Sequence, residues 1–145
     1  MTTAIHARVE RLRAGADPTL IARLSGGWAV FGEQQFLRGY CLLLPDPVVP
    51  QLNALAPVGG AAFLGDMARL GDALLAATNA VRINYAIFGN QDPALHAHVV
   101  PRYQDEPLPQ RTAHPWTYDW TQAGAFDARS MNVLRAQLCA ALGVS

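Results

Sequence analysis

Two strand-like stretches separated by a turn constrain the fold of this chain more than any other feature of its sequence. Residues 81–88 and 94–103 both read as strands, and residues 89–93 between them are rich in residues that favour turns. We therefore predict an antiparallel hairpin with a five-residue loop over 89–93. The second stretch contains His96 and His98, and because side chains alternate along a strand, both imidazoles share one face.

The spacing of apolar residues predicts helices and further strands around this hairpin. One predicted helix begins at Thr2-Thr3. Three more run from Asp17-Pro18 to near Gly26-Gly27, from near Ala61 to near Ala77, and from Asp127 to Gly143. Further predicted strands cover residues 28–31 and 36–44. This arrangement is an α+β fold, a mostly antiparallel sheet with flanking helices. We expect residues 1–145 to form a single domain, because no linker or repeat interrupts them.

The composition limits the classes of partner. With 11 basic and 11 acidic residues and no basic tract, the chain has little electrostatic support for binding extended nucleic acid. The 51% hydrophobic content favours an oligomer. There is no signal-peptide pattern and no apolar run of the ~20 residues that span a bilayer, so we expect a cytoplasmic protein without membrane contact. Cys41 and Cys139 lie far apart and are expected to be buried thiols in a reducing compartment.

The histidine pair alone leaves several roles open. Imidazoles act as bases, nucleophiles or metal ligands, and they also serve as hydrogen-bonded structural residues. A zinc site needs a third or fourth ligand, and the other histidines, His6 and His114, belong to no recognisable ligand motif. We therefore expect no metal and no cofactor, although metal-assisted hydrolysis by His96 and His98 remains an alternative.

The segment from Leu95 to Tyr103 resembles the signature of the histidine triad (HIT) family. That signature has three histidines alternating with apolar residues, then two apolar residues and often Pro-Arg. Pro101-Arg102 sets the register, so that His96 is the second histidine and His98 the third, while Ala94 stands in place of the first. The resemblance covers about residues 20–103, and the part from about residue 104 is similar to C-terminal extensions on some bacterial members.

The resemblance implies nucleotide chemistry. Family members bind nucleoside phosphates and split or transfer at the α-phosphate. His96 would be the nucleophile that forms a covalent nucleotidyl intermediate, with its other ring nitrogen held by a backbone carbonyl. His98 would donate to a phosphate oxygen or to the leaving group. The implied function is a hydrolase or nucleotidyl transferase, a homodimer, acting on a nucleoside phosphate or dinucleoside polyphosphate. A nucleotide-binding protein with weak or no turnover is the alternative.

Four further residues are candidates for substrate binding. The family commonly has a phosphate-contacting glutamine where Asn90 stands and a small hydroxyl residue where Gln91 stands, although both also suit an ordinary turn. Asn84 lies on the mixed face of its strand and either reaches the ligand or bonds across the strands. Arg102 either binds phosphate or lies at the solvated surface.

The sequence departs from the family pattern at three places. Ala94 lacks the first imidazole, Gly39-Tyr40 replaces a frequent Gly-His pair, and Gly32 stands near the expected ribose-binding acid, with Glu33 displaced. The aromatic residues also leave alternatives open. Trp28 and Phe31 lie where the family hairpin lines the base pocket, although strand aromatics are more often core residues. The aromatic residues of the C-terminal part are expected to cover a sheet face or a dimer seam, with base stacking as the alternative: Trp116, Tyr118 and Trp120.

Overall fold

A five-stranded antiparallel sheet organises the structure. The computed structural model describes residues 2–144. The strands of the main sheet are β1 (Leu20–Leu24), β2 (Gly27–Phe31), β4 (Cys41–Leu44), β5 (Arg82–Ala86) and β6 (Ala97–Arg102). Their order is β1-β2-β4-β6-β5, and a small second sheet pairs β3 (Gln34–Gln35) with β7 (Gly124–Ala125). The histidine strand β6 therefore lies between β4 and the edge strand β5.

Three α-helices flank the sheet within the described residues: α1 (Ala4–Arg13), α2 (Pro57–Ala77) and α3 (Ala128–Leu142). Thr3 caps α1, because its hydroxyl accepts from the backbone N–H of His6. Asp127 caps α3, and Gly143 ends it with φ of 73°, a left-handed conformation that glycine adopts without strain. The predicted cap and stop of the last helix are confirmed. None of the helices in residues 2–144 is long and apolar enough to cross a bilayer.

The two faces of the sheet bury different layers. Helices α2 and α3 pack on one face, against side chains that include Ala97 and Val99 of β6. Helix α1 packs on the other face, against side chains that include Val30, Leu42 and Val100. Because His98 alternates with Ala97 and Val99, its side chain lies on the α1 side. The face shared by the histidines is therefore the face away from α2 and α3.

The helix predicted at Asp17 is wrong, because residues 20–24 form strand β1. The carboxylate of Asp17 does accept from a backbone N–H two residues on, that of Thr19 at 2.9 Å, as in an Asx turn. Asp17 also contacts Arg8 of α1, and the chain then pairs with β2 and buries Ile21. A cap signal is local and fits a turn as well as a helix, so the long-range pairing decided the outcome.

Two predicted strand boundaries are also wrong. Residues 36–40 form a turn, in which Gly39 has φ of 98°, so the strand predicted over 36–44 shortens to β4. The predicted five-residue hairpin loop is longer, because residues 87–96 all lie outside β5 and β6. In that connection the N–H of Leu95 bonds the carbonyl of Val49 instead of the ladder, and Asp92 accepts from the N–H of Ile5. His96 consequently lies just before β6 rather than within it.

Residues 103–127 run back across the histidine face before α3 begins. They contain three 3-10 turns, Gln110–Thr112, Pro115–Thr117 and Trp120–Gln122, and then β7. Although residues 105–116 are rich in proline and polar groups, Glu106 and Pro115 among them are buried. This segment supplies one wall of the site described next.

Candidate active site

His96 is held by the backbone of the residue two positions before it. Its Nδ1 lies 2.7 Å from the carbonyl oxygen of Ala94. A carbonyl oxygen only accepts, so Nδ1 carries the proton and donates it. The second ring nitrogen, Nε2, is then left with a free lone pair, which is the form that a nucleophile or a base requires.

His98 lies beside His96, with the two ring centroids 5.0 Å apart. Its backbone pairs with Leu42 on one side and Ala86 on the other, which fixes it in the middle of the sheet. Its Nδ1 lies 2.6 Å from the hydroxyl oxygen of Tyr40. Burial, and then the nearby His96, lower the pKa of His98 to about 4, so this imidazole is neutral at pH 7.

An open cavity of about 700 Å³ lies over the two histidines. The connection between β5 and β6 forms one side of it and aromatic rings form the other. Its lining residues are Tyr40, Phe88, Gly89, Asn90, Gln91, Asp92, His96, His98, Trp116 and Trp120. Apart from the carboxylate of Asp92, the lining side chains are imidazoles, amides and aromatic rings. These are the groups through which the cavity can recognise a ligand.

The aromatic wall comes largely from the C-terminal part of the chain. The ring of Trp116 meets that of His98 edge-on at a centroid distance of 4.9 Å and meets Phe88 at the same distance. Trp120 lies 6.0 Å from Trp116 and 5.6 Å from Tyr40. The sequence favoured a sheet face or a dimer seam for these tryptophans, with base stacking as the alternative, whereas the structure has both lining the cavity. The signal was the alternation of aromatic residues inside a polar, proline-rich segment.

Asn90 and Gln91 line this cavity with the two histidines, whereas Arg102 and Asn84 belong to a separate network. Arg102 is 6% exposed, so the expectation that it is solvated is wrong. Its guanidinium donates to the Glu106 carboxylate at 3.0 Å, to the Asn84 side chain at 2.7 Å, and to the carbonyls of Gln110 and Ala113. These contacts engage its donors, so the geometry does not support a role in phosphate binding.

The hairpin residues considered for a base pocket lie away from the cavity. Phe31 is fully buried on the α3 side of the sheet, where it stacks on Phe126. Trp28 donates its indole N–H to Asp46. Glu33 is exposed and lies close to Arg11. Phe31 therefore belongs to the core, and the lining of the cavity includes none of the three.

The remaining histidines and cysteines lie elsewhere. His6 completes the cap of α1, and His114 lines a neighbouring groove. Cys41 is buried, which raises the pKa of its thiol, whereas Cys139 is only partly buried. Within residues 2–144 no three His, Cys, Asp or Glu side chains come together in a geometry that would hold a metal ion.

Comparisons with known proteins identify the fold. No protein-family model and no curated protein matches the chain. Among solved structures, a histidine triad protein from Sinorhizobium meliloti matches with a TM-score of 0.75 and 21% identity over 96% of each chain. A Zn-bound histidine triad family protein from Mycobacterium smegmatis matches with a TM-score of 0.64 and 24% identity over 89% of this chain and 90% of its own. A hypothetical histidine triad nucleotide-binding protein from Sulfolobus tokodaii matches with a TM-score of 0.72 and 10% identity over 92% of this chain and 89% of its own.

The structure thus defines an α+β protein with a pair of histidines in a cavity on one face of an antiparallel sheet. Its fold is that of the histidine triad family, as the signature in residues 95–103 predicted.

Proposed function

We propose that this protein is a HIT-like hydrolase or nucleotidyl transferase that acts at the α-phosphate of a nucleoside phosphate or dinucleoside polyphosphate. The observation that carries the proposal is the hydrogen bond from Nδ1 of His96 to the Ala94 carbonyl, because it leaves Nε2 as a nucleophile beside the cavity. The nucleotide-binding neighbour from Sulfolobus tokodaii supports the substrate class.

The chemistry takes two displacements. In the first, Nε2 of His96 attacks the α-phosphorus, a P–N bond forms, and the P–O or P–N bond to the leaving group breaks. The leaving group departs as an anion that accepts a hydrogen bond from Nε2–H of His98. In the second, water or an acceptor hydroxyl attacks the phosphorus, the P–N bond to His96 breaks, and the proton of the attacking group is released to solvent. The covalent step divides one difficult displacement into two easier ones.

The loop between β5 and β6 is proposed to hold the phosphate. Asn90 and Gln91 are exposed at the cavity, and their side-chain amides can donate to phosphate oxygens without adding a positive charge. Trp116 and Phe88 offer aromatic faces beside His98 for an apolar part of the substrate. Asn84 and Arg102 are not part of this proposal, because they contact each other.

The proposed assembly is a homodimer joined through the edge strand β5. Its outer edge has no neighbouring strand among the described residues, and Val81 and Tyr85 at this edge are 58% and 44% exposed. An unpaired strand edge that carries apolar side chains is a surface on which a second copy can pair.

The test is to trap the covalent intermediate. The protein is incubated with ATP or a diadenosine polyphosphate, quenched in mild alkali and analysed by mass spectrometry for a nucleotidyl adduct on a histidine. We expect the adduct in the wild type and in His114→Ala, a histidine outside the cavity, and its loss in His96→Ala.

Other outcomes distinguish the alternatives. Tight nucleotide binding without adduct or turnover would replace the proposal with a nucleotide-binding protein. Stoichiometric bound zinc, together with activity that chelation abolishes, would replace it with metal-assisted hydrolysis by His96 and His98. The Zn-bound neighbour from Mycobacterium smegmatis is the reason to include this metal assay.

A further inference from the structure

We infer that Tyr40 is a positioning residue for His98, whose Nδ1 accepts a hydrogen bond from the tyrosine hydroxyl so that the imidazole carries its own proton on Nε2. This inference deepens the proposed function and rests on it in one respect, the role of His98 as the hydrogen-bond donor to the phosphate or the leaving group. The direction of the hydrogen bond itself follows from burial and geometry.

Tyr40 is 4% exposed, and its hydroxyl oxygen lies 2.6 Å from Nδ1 of His98. A buried hydroxyl needs an acceptor for its proton, and this ring nitrogen is the acceptor within reach. If Nδ1 carried the imidazole proton instead, His98 would be the donor and the hydroxyl proton would be left buried without an acceptor. The favoured arrangement therefore has O–H donating to Nδ1. Burial also raises the pKa of Tyr40 far above neutral pH, so its proton stays in place.

The two histidines are consequently held in opposite tautomers. His96 donates from Nδ1 to the Ala94 carbonyl and exposes a lone pair on Nε2. His98 accepts at Nδ1 from Tyr40 and exposes an N–H on Nε2. One ring thus presents a lone pair that can attack phosphorus, and the other presents an N–H that can donate a hydrogen bond to phosphate.

The packing around Tyr40 fixes the position of its ring. Phe36 contacts it edge-on at a centroid distance of 5.1 Å, and Trp120 does so at 5.6 Å. Gly32 lies under the ring: a Cβ atom there would come within 2.3 Å of the ring carbons of Tyr40. The hydroxyl can therefore reach His98 only because position 32 has no side chain.

This role also accounts for a departure in the sequence. Ala94 and Tyr40 both stand where the resemblance predicts histidine, so the site lacks two imidazoles. The Ala94 backbone still contacts His96, and the Tyr40 hydroxyl still contacts His98. Each remaining histidine has kept one partner that determines where its proton resides.

The first experiment reads the tautomer of His98 in the wild-type protein. Long-range ¹H–¹⁵N spectra distinguish the two tautomers of a neutral imidazole, and the signals of His98 are those lost in His98→Gln. At pH 7 we expect His98 as the Nε2–H tautomer and His96 as the Nδ1–H tautomer. An Nδ1–H tautomer at His98 overturns the inference. This measurement requires no turnover, so it decides the inference even if the proposed function fails.

The second experiment removes the hydroxyl. Tyr40→Phe should give a mixture of both tautomers at His98 and lower kcat about tenfold, the kinetic equivalent of one hydrogen bond, with KM changed by less than about twofold. Tyr40→His, which restores a polar partner, should recover part of kcat. The matched control is Tyr103→Phe, which loses a hydroxyl that donates to the Arg38 carbonyl outside the cavity.

Gly32→Ala provides an independent variant that leaves the hydroxyl in place but displaces the ring. It should change the His98 tautomer in the same direction as Tyr40→Phe. The inference is overturned if His98 stays entirely Nε2–H in Tyr40→Phe, or if Tyr40→Phe loses no more kcat than Tyr103→Phe. If the wild type forms no nucleotidyl adduct, the proposed function fails, and the spectra alone decide the role of Tyr40.

Discussion

Ala94 contributes to the site through its backbone carbonyl, which accepts from His96, while its methyl group lies in the core. The residue is fully buried among apolar side chains that include Val100 and Leu42. The position therefore has two separate roles, one in orienting an imidazole and one in packing. A larger residue at this position would disturb the packing before its side chain could help to orient His96.

Ala94→His tests whether the site is limited by its missing histidine. Because position 94 is packed, we expect a loss of about 1–3 kcal/mol in the free energy of unfolding and no gain in kcat. Urea denaturation and steady-state kinetics measure the two effects. Ala94→Leu is the control for size without an imidazole. A higher kcat at unchanged stability would show that the missing histidine limits the rate.

His98 predicts a pH dependence of stability. Its pKa is about 4 in the folded chain against an ordinary 6.5, so between these values the unfolded chain binds a proton that the folded chain does not. The free energy of unfolding should therefore fall as the pH is lowered through this window, by up to about 3 kcal/mol at 1.36 kcal/mol per pH unit. Above pH 6.5 His98 contributes no slope.

Urea denaturation from pH 7 to pH 4.5 measures this dependence. The slope should be clearly shallower in His98→Gln and unchanged in His114→Gln, an exposed histidine. Equal slopes in the wild type and His98→Gln would contradict a neutral, half-buried His98.

At the scale of elements, a buried ion pair anchors the C-terminal segment to the end of β6. Glu106 accepts from Arg102, from the N–H of Tyr103 at 2.6 Å and from the hydroxyl of Tyr118 at 2.7 Å. Burial alone would raise the pKa of Glu106, but the hydrogen bonds from Arg102 and Tyr118 outweigh it and lower the pKa. Glu106 precedes Trp116 in the chain and Tyr118 follows it, so this anchor fixes the position of the aromatic wall.

Glu106→Gln should weaken this anchor strongly, because it leaves the buried guanidinium of Arg102 without its carboxylate. We expect a loss of about 3–5 kcal/mol in the free energy of unfolding and a higher KM as the wall loosens. The matched variant is Tyr118→Phe, which removes one hydrogen bond and should cost about 1 kcal/mol. Equal losses in the two variants would indicate that the ion pair contributes little. Urea denaturation followed by tryptophan fluorescence makes the comparison.

Local chemistry explains which elements the sequence predicts well. The alternation through His98 and the signals at Asp127 and Gly143 act within a few residues, and the structure confirms them. The helix prediction at Asp17 was wrong because the turn at Asp17 precedes a strand, β1, that pairs with β2. The length of the connection over 87–96 was predicted wrongly because the N–H of Leu95 donates a hydrogen bond to Val49 in a distant loop. In each case a long-range contact overrode the local preference.

The same distinction applies to the site. The histidine pair and its register could be read from one segment, as could the cavity position of Asn90 and Gln91. The contact between Tyr40 and His98 spans 58 residues, and no local pattern indicates it. The sequence also cannot indicate that the guanidinium donors of Arg102 are satisfied internally, because most of its partners follow in a segment without regular spacing.

At the scale of the whole molecule, β5 gives the sheet an open edge. Val81→Lys places a charge there, and in the proposed dimer the symmetry axis would bring two such charges close together. We expect dimer dissociation to become at least about tenfold easier. Val133→Lys on α3, which is 69% exposed, is the matched control and should remain dimeric. Light scattering over a dilution series checks both. A Val81→Lys dimer as tight as the wild type would place the interface elsewhere.

The close approach of Gly32 and Tyr40 restricts the order in which this chain can be redesigned. An acidic side chain at position 32 would occupy the space of the tyrosine ring, so the two positions are epistatic. Exchanging Tyr40 for a smaller residue first opens the space, and Gly32→Asp then follows without a clash. The reverse order passes through an intermediate with a displaced ring. To obtain a carboxylate on the hairpin, Tyr40 therefore has to be replaced before Gly32.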